Sequence, residues 1–168
     1  MFKVGVLSII SMIFVVRAFS YDLDASSGSL YDKYGGQAGV QKIVDESVVA
    51  LLADPTVASY YVVIGQSGHD TADRLKSCLD LQFTVLMGGL GKYPGVSHYR
   101  NAPKRGYTCE NMKVAHSDLG INNQAFDQFV MILGSVLQRA GVDRKDVDIL
   151  APTLLGLRSD VVTKTILP

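Results

Sequence analysis

The sequence is poor in the features that mark several large classes of protein. Its 16 basic residues are balanced by 16 acidic ones, so it lacks the basic excess with which nucleic-acid-binding proteins attract phosphates. It has no internal repeat, and no segment alternates apolar and polar residues for long enough to predict a β-strand. The absence of such alternation favours an all-α fold. Because 48% of its 168 residues are apolar and only 19% are charged, the sequence predicts one domain with a substantial core.

The sequence also lacks an apolar run of the roughly 20 residues that a membrane span requires. The run from Val4 to Val16 is shorter, and Arg17 and small residues ending at Ser20 follow it. This pattern predicts a secretory signal peptide over 1–20, cleaved after Ser20, with an uncleaved membrane anchor as the alternative. No cysteine follows the run to carry a lipid. We therefore expect an exported protein, periplasmic or extracellular, that leaves the membrane after cleavage.

The mature chain is expected to begin with a flexible polar segment, 21–30, and to continue as one domain over 31–168. Apolar residues recur at helical spacing and predict about five main helices, bounded by capping residues and glycines. In order, these helices run over 37–53, from Asp70 or Thr71 to Gly88, over 111–117, from Asn122 or Asn123 to Gly141, and from about Asp143 to Val161 with a kink at Pro152.

The connecting segments are predicted from glycine, proline and the loss of periodicity. The pair Gly35-Gly36 is expected to stop a first helical turn that contains Tyr31. The stretch around Tyr60 and Tyr61 reads as irregular, and residues 90–110 read as a loop.

The sequence contains only three histidines, so few side chains are candidates for a histidine metal ligand. His69 and His98 lie in polar loop sequence, which favours solvated side chains. His116 follows Met112 by four residues, so the two share one face of a short helix. A lone histidine on such a face is more often a hydrogen-bonded core residue than a ligand, so its position alone does not assign a role.

The order of several short motifs around His116 resembles that of group I truncated haemoglobins, over roughly residues 30 to 163. The N-terminal half carries a Tyr-Asp-Lys-Tyr-Gly-Gly turn, a helix that closes on Leu-Ala-Asp, an aromatic pair, a distal helix and a glycine pair. The C-terminal half carries Met-Lys before the histidine, Gly-Ile after it, and Ala-Gly-Val. The residues concerned are Tyr31–Gly36, Leu52–Asp54, Tyr60-Tyr61, Leu75-Lys76, Phe83, Gly88-Gly89, Tyr93, Gly95, Met112-Lys113, Gly120-Ile121, Phe126 and Ala140–Val142.

This resemblance implies a two-over-two helical sandwich around haem b, with His116 as the proximal ligand of the iron. A neutral imidazole is a good iron ligand, and a proximal histidine is common in haem proteins. The residues that match positions lining the porphyrin are also good core residues, because the core of a globin is the haem pocket. They are Met112, Leu75, Leu79, Phe83 and Tyr61.

The chain departs from the family on the side where the gas binds. Val48 stands where a tyrosine is usual and Leu79 where a glutamine is frequent, and neither side chain donates a hydrogen bond. Tyr61 stands where phenylalanine is usual and carries a hydroxyl of unassigned direction. An apolar ligand side is expected to favour CO and NO over O2.

Cys78 stands where some members of the family have a histidine that binds iron, so three states are open to it. Its thiolate could be a distal iron ligand, it could be a buried free thiol, or it could bond to Cys109. Of these we expect the disulfide between Cys78 and Cys109.

These observations predict an exported haem protein that binds a diatomic gas (O2, NO or CO) or carries out redox chemistry at the iron. They assign no enzymatic reaction. The alternative is a haem-free globin fold that serves as a binding or structural module, which the presence of His116 argues against. The longer loop over 96–110 has no counterpart in the family and carries Arg100, Lys104 and Arg105, which could contact a protein partner.

Overall fold

The computed structural model describes residues 28–66 and 71–164, which form a helical fold with one small hairpin. The predicted signal peptide over 1–20, residues 21–27 of the predicted flexible segment, and His69 lie outside the described residues. The end of that segment is not flexible, because Ser29 caps a helix that begins at Leu30. The elements are, in order, α1 Leu30–Lys33, α2 Gly36–Ala53, α3 Ala58–Gln66, α4 Ala72–Leu86, β1 Gly95–Ser97, β2 Tyr107–Cys109, α5 Met112–His116, α6 Asn123–Arg139, α7 Arg144–Gly156 and α8 Arg158–Val161.

The helix boundaries follow from local chemistry, as the sequence predicts. Thr71 accepts a hydrogen bond from the backbone N–H of Arg74, and Asn122 does the same for Ala125, so each side chain satisfies an amide that the helix leaves unpaired. Gly35 and Gly36 have φ values of +89° and +61°, in the region that favours glycine. The predicted caps and the predicted stop after the first turn are confirmed.

Two pairs of helices form the two layers of the fold. Helix α2 packs against α4, α6 packs against α7, and contact between α2 and α6 joins the pairs. The core between them is made of buried aliphatic side chains and Phe83, including Val40, Val44, Leu133, Leu137 and Leu150. This is the two-over-two helical sandwich that the sequence predicts.

The segment predicted as a loop over 90–110 contains a two-stranded antiparallel hairpin, so that expectation was wrong in part. Strands β1 and β2 pair with Gly95 opposite Cys109 and Ser97 opposite Tyr107. Each strand has three residues, which is too short for an alternating pattern to be recognised. The stretch with Tyr60 and Tyr61 is also helical rather than irregular, as part of α3.

The hairpin is fixed to α4 by bonds along its length. Ser77 and Ser97, both buried, share a hydrogen bond of 2.6 Å between their hydroxyls. Cys78 and Cys109 form a disulfide with their α-carbons 5.4 Å apart. The guanidinium of Arg74 donates to the carbonyl oxygen of Thr108 at 2.8 Å. The disulfide predicted from the sequence is present in the structure.

Arg100 attaches the far end of the hairpin to two helices. Its guanidinium donates to both carboxylate oxygens of the fully buried Asp80, at 2.6 and 3.0 Å, and to Asp45 on α2 at 2.9 Å. These carboxylates raise the pKa of Arg100, so it stays protonated. Arg100 has a φ of +56°, a strained value for a residue other than glycine, and we infer that the ion pairs hold it there. This residue is therefore structural rather than free for a partner.

A second ion-pair cluster joins α1 to the start of α7. Lys33 donates to Asp146 at 2.6 Å and to Asp143 at 2.8 Å, and the hydroxyl of Tyr34 also donates to Asp146. The side chain of Asp146 is only 6% exposed, so these donors replace the water that it loses on folding. The bond from Lys33 first, and then that from Tyr34, lowers the pKa of Asp146 below its ordinary value.

We predict that this cluster makes folding sensitive to acid. Because the pKa of Asp146 is lower in the folded state, its contribution is complete above about pH 4, near the pKa of an unperturbed aspartate, and disappears as the pH falls through the folded pKa. At pH 7, Asp146→Asn should lower the free energy of unfolding by about 1.5–3 kcal/mol, the range for hydrogen bonds to a charged group. Urea unfolding between pH 2 and 7 measures this, and the gap between variant and wild type should close towards pH 2.

The matched control is Asp148→Asn on the same helix. Asp148 pairs with Arg144 at the surface, with 60% of its side chain exposed, and exposed pairs contribute about 0–1 kcal/mol. Equal losses for the two variants at pH 7 would contradict the assignment.

Candidate functional site

Among the described residues, a largely apolar cavity of about 380 Å³ lies between α4 and the pair α5–α6 and opens partly to solvent. Its volume lies within the range of about 300–1,000 Å³ that is typical of small-molecule sites. Helix α4 supplies one wall from residues at helical spacing, which are Leu75, Cys78, Leu79, Gln82, Phe83 and Leu86. Facing and end walls come from α3, α5, α6 and the chain near α8, with Tyr61, Met112, His116, Leu119, Phe126, Phe129, Leu157 and Val161 among their residues.

His116 is the candidate metal ligand in this cavity, and the backbone fixes its ring. Helix α5 begins at an Asn111 cap that accepts a hydrogen bond from the amide of Val114. One turn later, Nδ1 of His116 lies 2.7 Å from the carbonyl oxygen of Met112. Because a carbonyl only accepts, Nδ1 carries the proton, and the neutral ring keeps its lone pair on Nε2.

The surroundings of His116 favour that neutral form. Burial lowers the pKa of the imidazole below its ordinary value, against the opposing effect of the bond to the Met112 carbonyl. Neutral imidazole is the form that binds metals, and a bond from the second ring nitrogen is the usual way in which proteins orient such a ligand. His98, in contrast, is exposed in the chain that follows β1.

The structure gathers most of the predicted site residues in this cavity. Met112, Leu75, Leu79, Phe83 and Tyr61 all line it together with His116. Val48 does not: it is buried in the main core, in the cluster that also contains Phe83 and Leu133. This face of α2 packs the two layers together, and the assignment of Val48 to a haem pocket stays a prediction.

Cys78 lines the cavity but is not available as a ligand. Its sulfur is bonded to Cys109, and a disulfide sulfur has no thiolate to offer a metal. Both alternatives to the disulfide, a distal iron ligand and a free thiol, are thus excluded for this state of the protein.

Several polar residues of the cavity wall were not predicted from the sequence, among them Gln82, Arg74 and Tyr93. Gln82 donates from Nε2 to the sulfur of Met112 at 3.6 Å, and so links α4 to α5. Gln82 follows Leu75 by seven residues and Leu79 by three, so helical spacing could have identified it. Arg74 and Tyr93 also line the cavity, and Tyr93 donates to the carbonyl of Glu110 at 2.8 Å. Tyr93 lies in the predicted loop, where no periodicity indicates which way it faces.

The residues present fit haem better than a bare metal ion. Among the described residues, no group of three or more histidine, cysteine, aspartate or glutamate side chains is arranged to hold a metal. A metal at His116 would therefore need to bring its other ligands with it. Haem does so, and its flat apolar ring suits walls made of Leu75, Leu79 and Phe83.

Within the part of the chain that the structure describes, no helix is both long enough and apolar enough to cross a membrane.

The sequence is similar to curated truncated haemoglobins, although no protein-family model matches it. It is 25% identical over 136 residues to a group 1 truncated haemoglobin from Tetrahymena thermophila, and the match covers 81% of this chain and 96% of that protein. The corresponding protein from Tetrahymena pyriformis is 24% identical over the same lengths.

Solved structures agree on the fold. The Fe(III) form of truncated haemoglobin from Tetrahymena pyriformis superposes with a TM-score of 0.63 at 23% identity, covering 82% of this chain and all of that one. A two-over-two haemoglobin from a Synechococcus species, in the cyanomet state with covalently attached haem, gives 0.64 at 26% identity with the same coverage. The chain is thus similar to truncated haemoglobins in sequence and shares the two-over-two globin fold with their solved structures.

Proposed function

We propose that this protein is an exported truncated haemoglobin of group I. It would bind haem b through His116 and take up a diatomic gas in the cavity between α4 and the pair α5–α6. The single observation that carries the proposal is a neutral, backbone-oriented imidazole in the wall of an apolar cavity. The similarity to truncated haemoglobins supports the same reading. Haem, when bound, supplies an iron atom with an open position for O2, NO or CO.

Different residues of this chain would bind the iron and pack against the porphyrin. His116 would hold the iron from Nε2, while the bond from Nδ1 to Met112 keeps the ring in one orientation. Leu75, Leu79 and Phe83 would pack against the porphyrin and exclude water from it. We propose haem b because both cysteines are joined in the disulfide, which leaves no thiol for the thioether bond of a c-type haem.

Export would follow from the signal peptide that the first twenty residues predict. The disulfide supports this location, because such bonds persist in the periplasm and outside the cell and are rare in the cytosol. We expect intact-mass measurement of protein recovered outside the cytoplasm to find a chain that starts at Tyr21.

Titration with haemin tests the central proposal. The full mature chain should develop a Soret band that saturates at one equivalent of haemin, and its ferrous form should shift this band on addition of CO. Apomyoglobin serves as the positive control and serum albumin as the control for unspecific haem uptake. Absence of a Soret band beyond the albumin control would overturn the haem proposal in favour of a haem-free binding module.

A further inference from the structure

The tip of the hairpin, residues 98–106, carries positive charge that the fold leaves unpaired. Lys104 and Arg105 occupy the two central positions of a β-turn. The amide of Gly106 closes this turn by donating to the carbonyl oxygen of Pro103 at 2.7 Å. Lys104 and Arg105 are both exposed, and neither side chain forms a hydrogen bond or an ion pair with another residue that the structure describes. Two adjacent cations thus project from the end of the hairpin.

Charge is distributed unevenly along the described chain. Residues 81–109 contain four basic residues and no acidic one, whereas the other described residues contain 10 basic and 13 acidic ones. The two carboxylates next to the tip do not neutralise its exposed cations, because both are already paired. Asp80 is paired with Arg100, and Asp45 is paired with Arg100 and Lys76. The hairpin is therefore a positive region on a protein whose other described residues are net negative, and such a region attracts an anionic partner.

The fold holds the hairpin tip in one conformation from its inner side. The disulfide, the hydrogen bond between Ser77 and Ser97, and the ion pairs of Arg100 attach the hairpin to α4 and α2. Arg100 and Asn101 both have a φ of +56°, which is unfavourable for residues other than glycine. The attachments maintain this backbone and so fix the turn that follows it. A surface that is ordered before binding loses less conformational entropy when a partner binds.

We propose that the hairpin tip is a docking surface for an acidic segment of a partner polypeptide, with Lys104 and Arg105 as its main contacts. Carboxylates suit these residues, because a planar guanidinium binds both oxygens of a carboxylate at once and the neighbouring ammonium adds a second charge. Residues 98–106 are absent from the described lining of the cavity at His116. The surface is thus separate from the proposed haem site, and the inference does not depend on haem.

A lipid surface suits the tip less well than an acidic polypeptide. Binding at a membrane interface uses large apolar side chains that enter the lipid, together with cations that contact the headgroups. The exposed residues of the tip include no large apolar side chain; they are His98, Asn101, Pro103, Lys104 and Arg105. The tip therefore offers charge and hydrogen-bond donors, which are the groups that recognise carboxylates.

The test is binding of a fluorescein-labelled peptide of alternating aspartate and glutamate to the full mature chain, measured by fluorescence anisotropy at low ionic strength. Lys104→Gln/Arg105→Gln should weaken binding about 5- to 25-fold, because one exposed ion pair contributes up to about a fivefold factor. Added salt should weaken binding to wild type, and peptide addition should shift the amide NMR signals of residues 98–106. Far-UV circular dichroism of the variant should equal that of wild type, because neither side chain contacts a described residue through a polar bond.

Arg144→Gln/Lys145→Gln is the matched control, because it removes the same two charges from another exposed, adjacent pair, at the start of α7. This pair lies next to Asp143 and Asp148 in sequence, so its surroundings are acidic. The control should change peptide binding less than twofold. Equal weakening in the two double variants, or no binding of the peptide to wild type, overturns the inference. Binding to phosphatidylglycerol vesicles without binding to the peptide also overturns it, in favour of a lipid surface.

Discussion

Replacing His116 by alanine is expected to weaken haem binding by more than about 100-fold. His116 is the one imidazole among the described residues that line the cavity, and the variant keeps the apolar walls that Leu79 and Phe83 provide. Loss of a partner that merely orients a metal-bound histidine weakens metal binding by about 10- to 100-fold, and loss of the ligand itself should exceed that. Haem transfer to excess apomyoglobin measures the change, as a faster decay of the protein's own Soret band.

Two controls separate ligand loss from misfolding. His98→Ala removes an exposed histidine near the hairpin and should leave haem transfer unchanged. Free imidazole added to His116→Ala should restore part of the affinity, because the truncated side chain leaves room for it in the cavity. Haem transfer that is equally slow in His116→Ala and wild type would show that another residue holds the iron.

Removing the disulfide with the double variant Cys78→Ala/Cys109→Ala is expected to lower the free energy of unfolding by about 3–4 kcal/mol. The bond closes a loop between residues separated by 31 positions, and in the chain-entropy model the unfolded chain gains that much freedom when it is opened. Urea unfolding of the variant and of wild type, each without reductant, gives the difference. Wild type in a dithiol reductant should match the variant.

The hairpin should remain docked in this variant, because Arg100 still pairs with Asp80 and Asp45, and Ser77 still bonds to Ser97. Far-UV circular dichroism of the folded variant should therefore equal that of wild type. Thiol counting in denaturant, without reductant, should find no free thiol in wild-type protein from an oxidising compartment. Two free thiols there, or a stability loss below about 1 kcal/mol, would contradict the prediction.

Local patterns in the sequence were sufficient for most of the helices, although not for α3, and for many residues of the cavity wall. Thr71 and Asn122 cap helices because their side chains reach amides three residues away. Leu75, Leu79 and Phe83 face one cavity because helical spacing places them on one side of α4. His116 was identified by the motifs around it, and its bond to Met112 four residues earlier is itself a local feature.

Contacts between distant segments decided the rest, because no local pattern encodes them. Val48 is apolar, as a residue of the pocket wall would be, but the packing of α2 places its side chain in the main core. The two strands of three residues are stabilised as a hairpin by pairing with each other. The ion pair between the buried Asp80 and Arg100, 20 residues apart in sequence, also holds the hairpin in place. Periodicity and capping act within one turn of helix, and the pairing of polar groups depends on the whole fold.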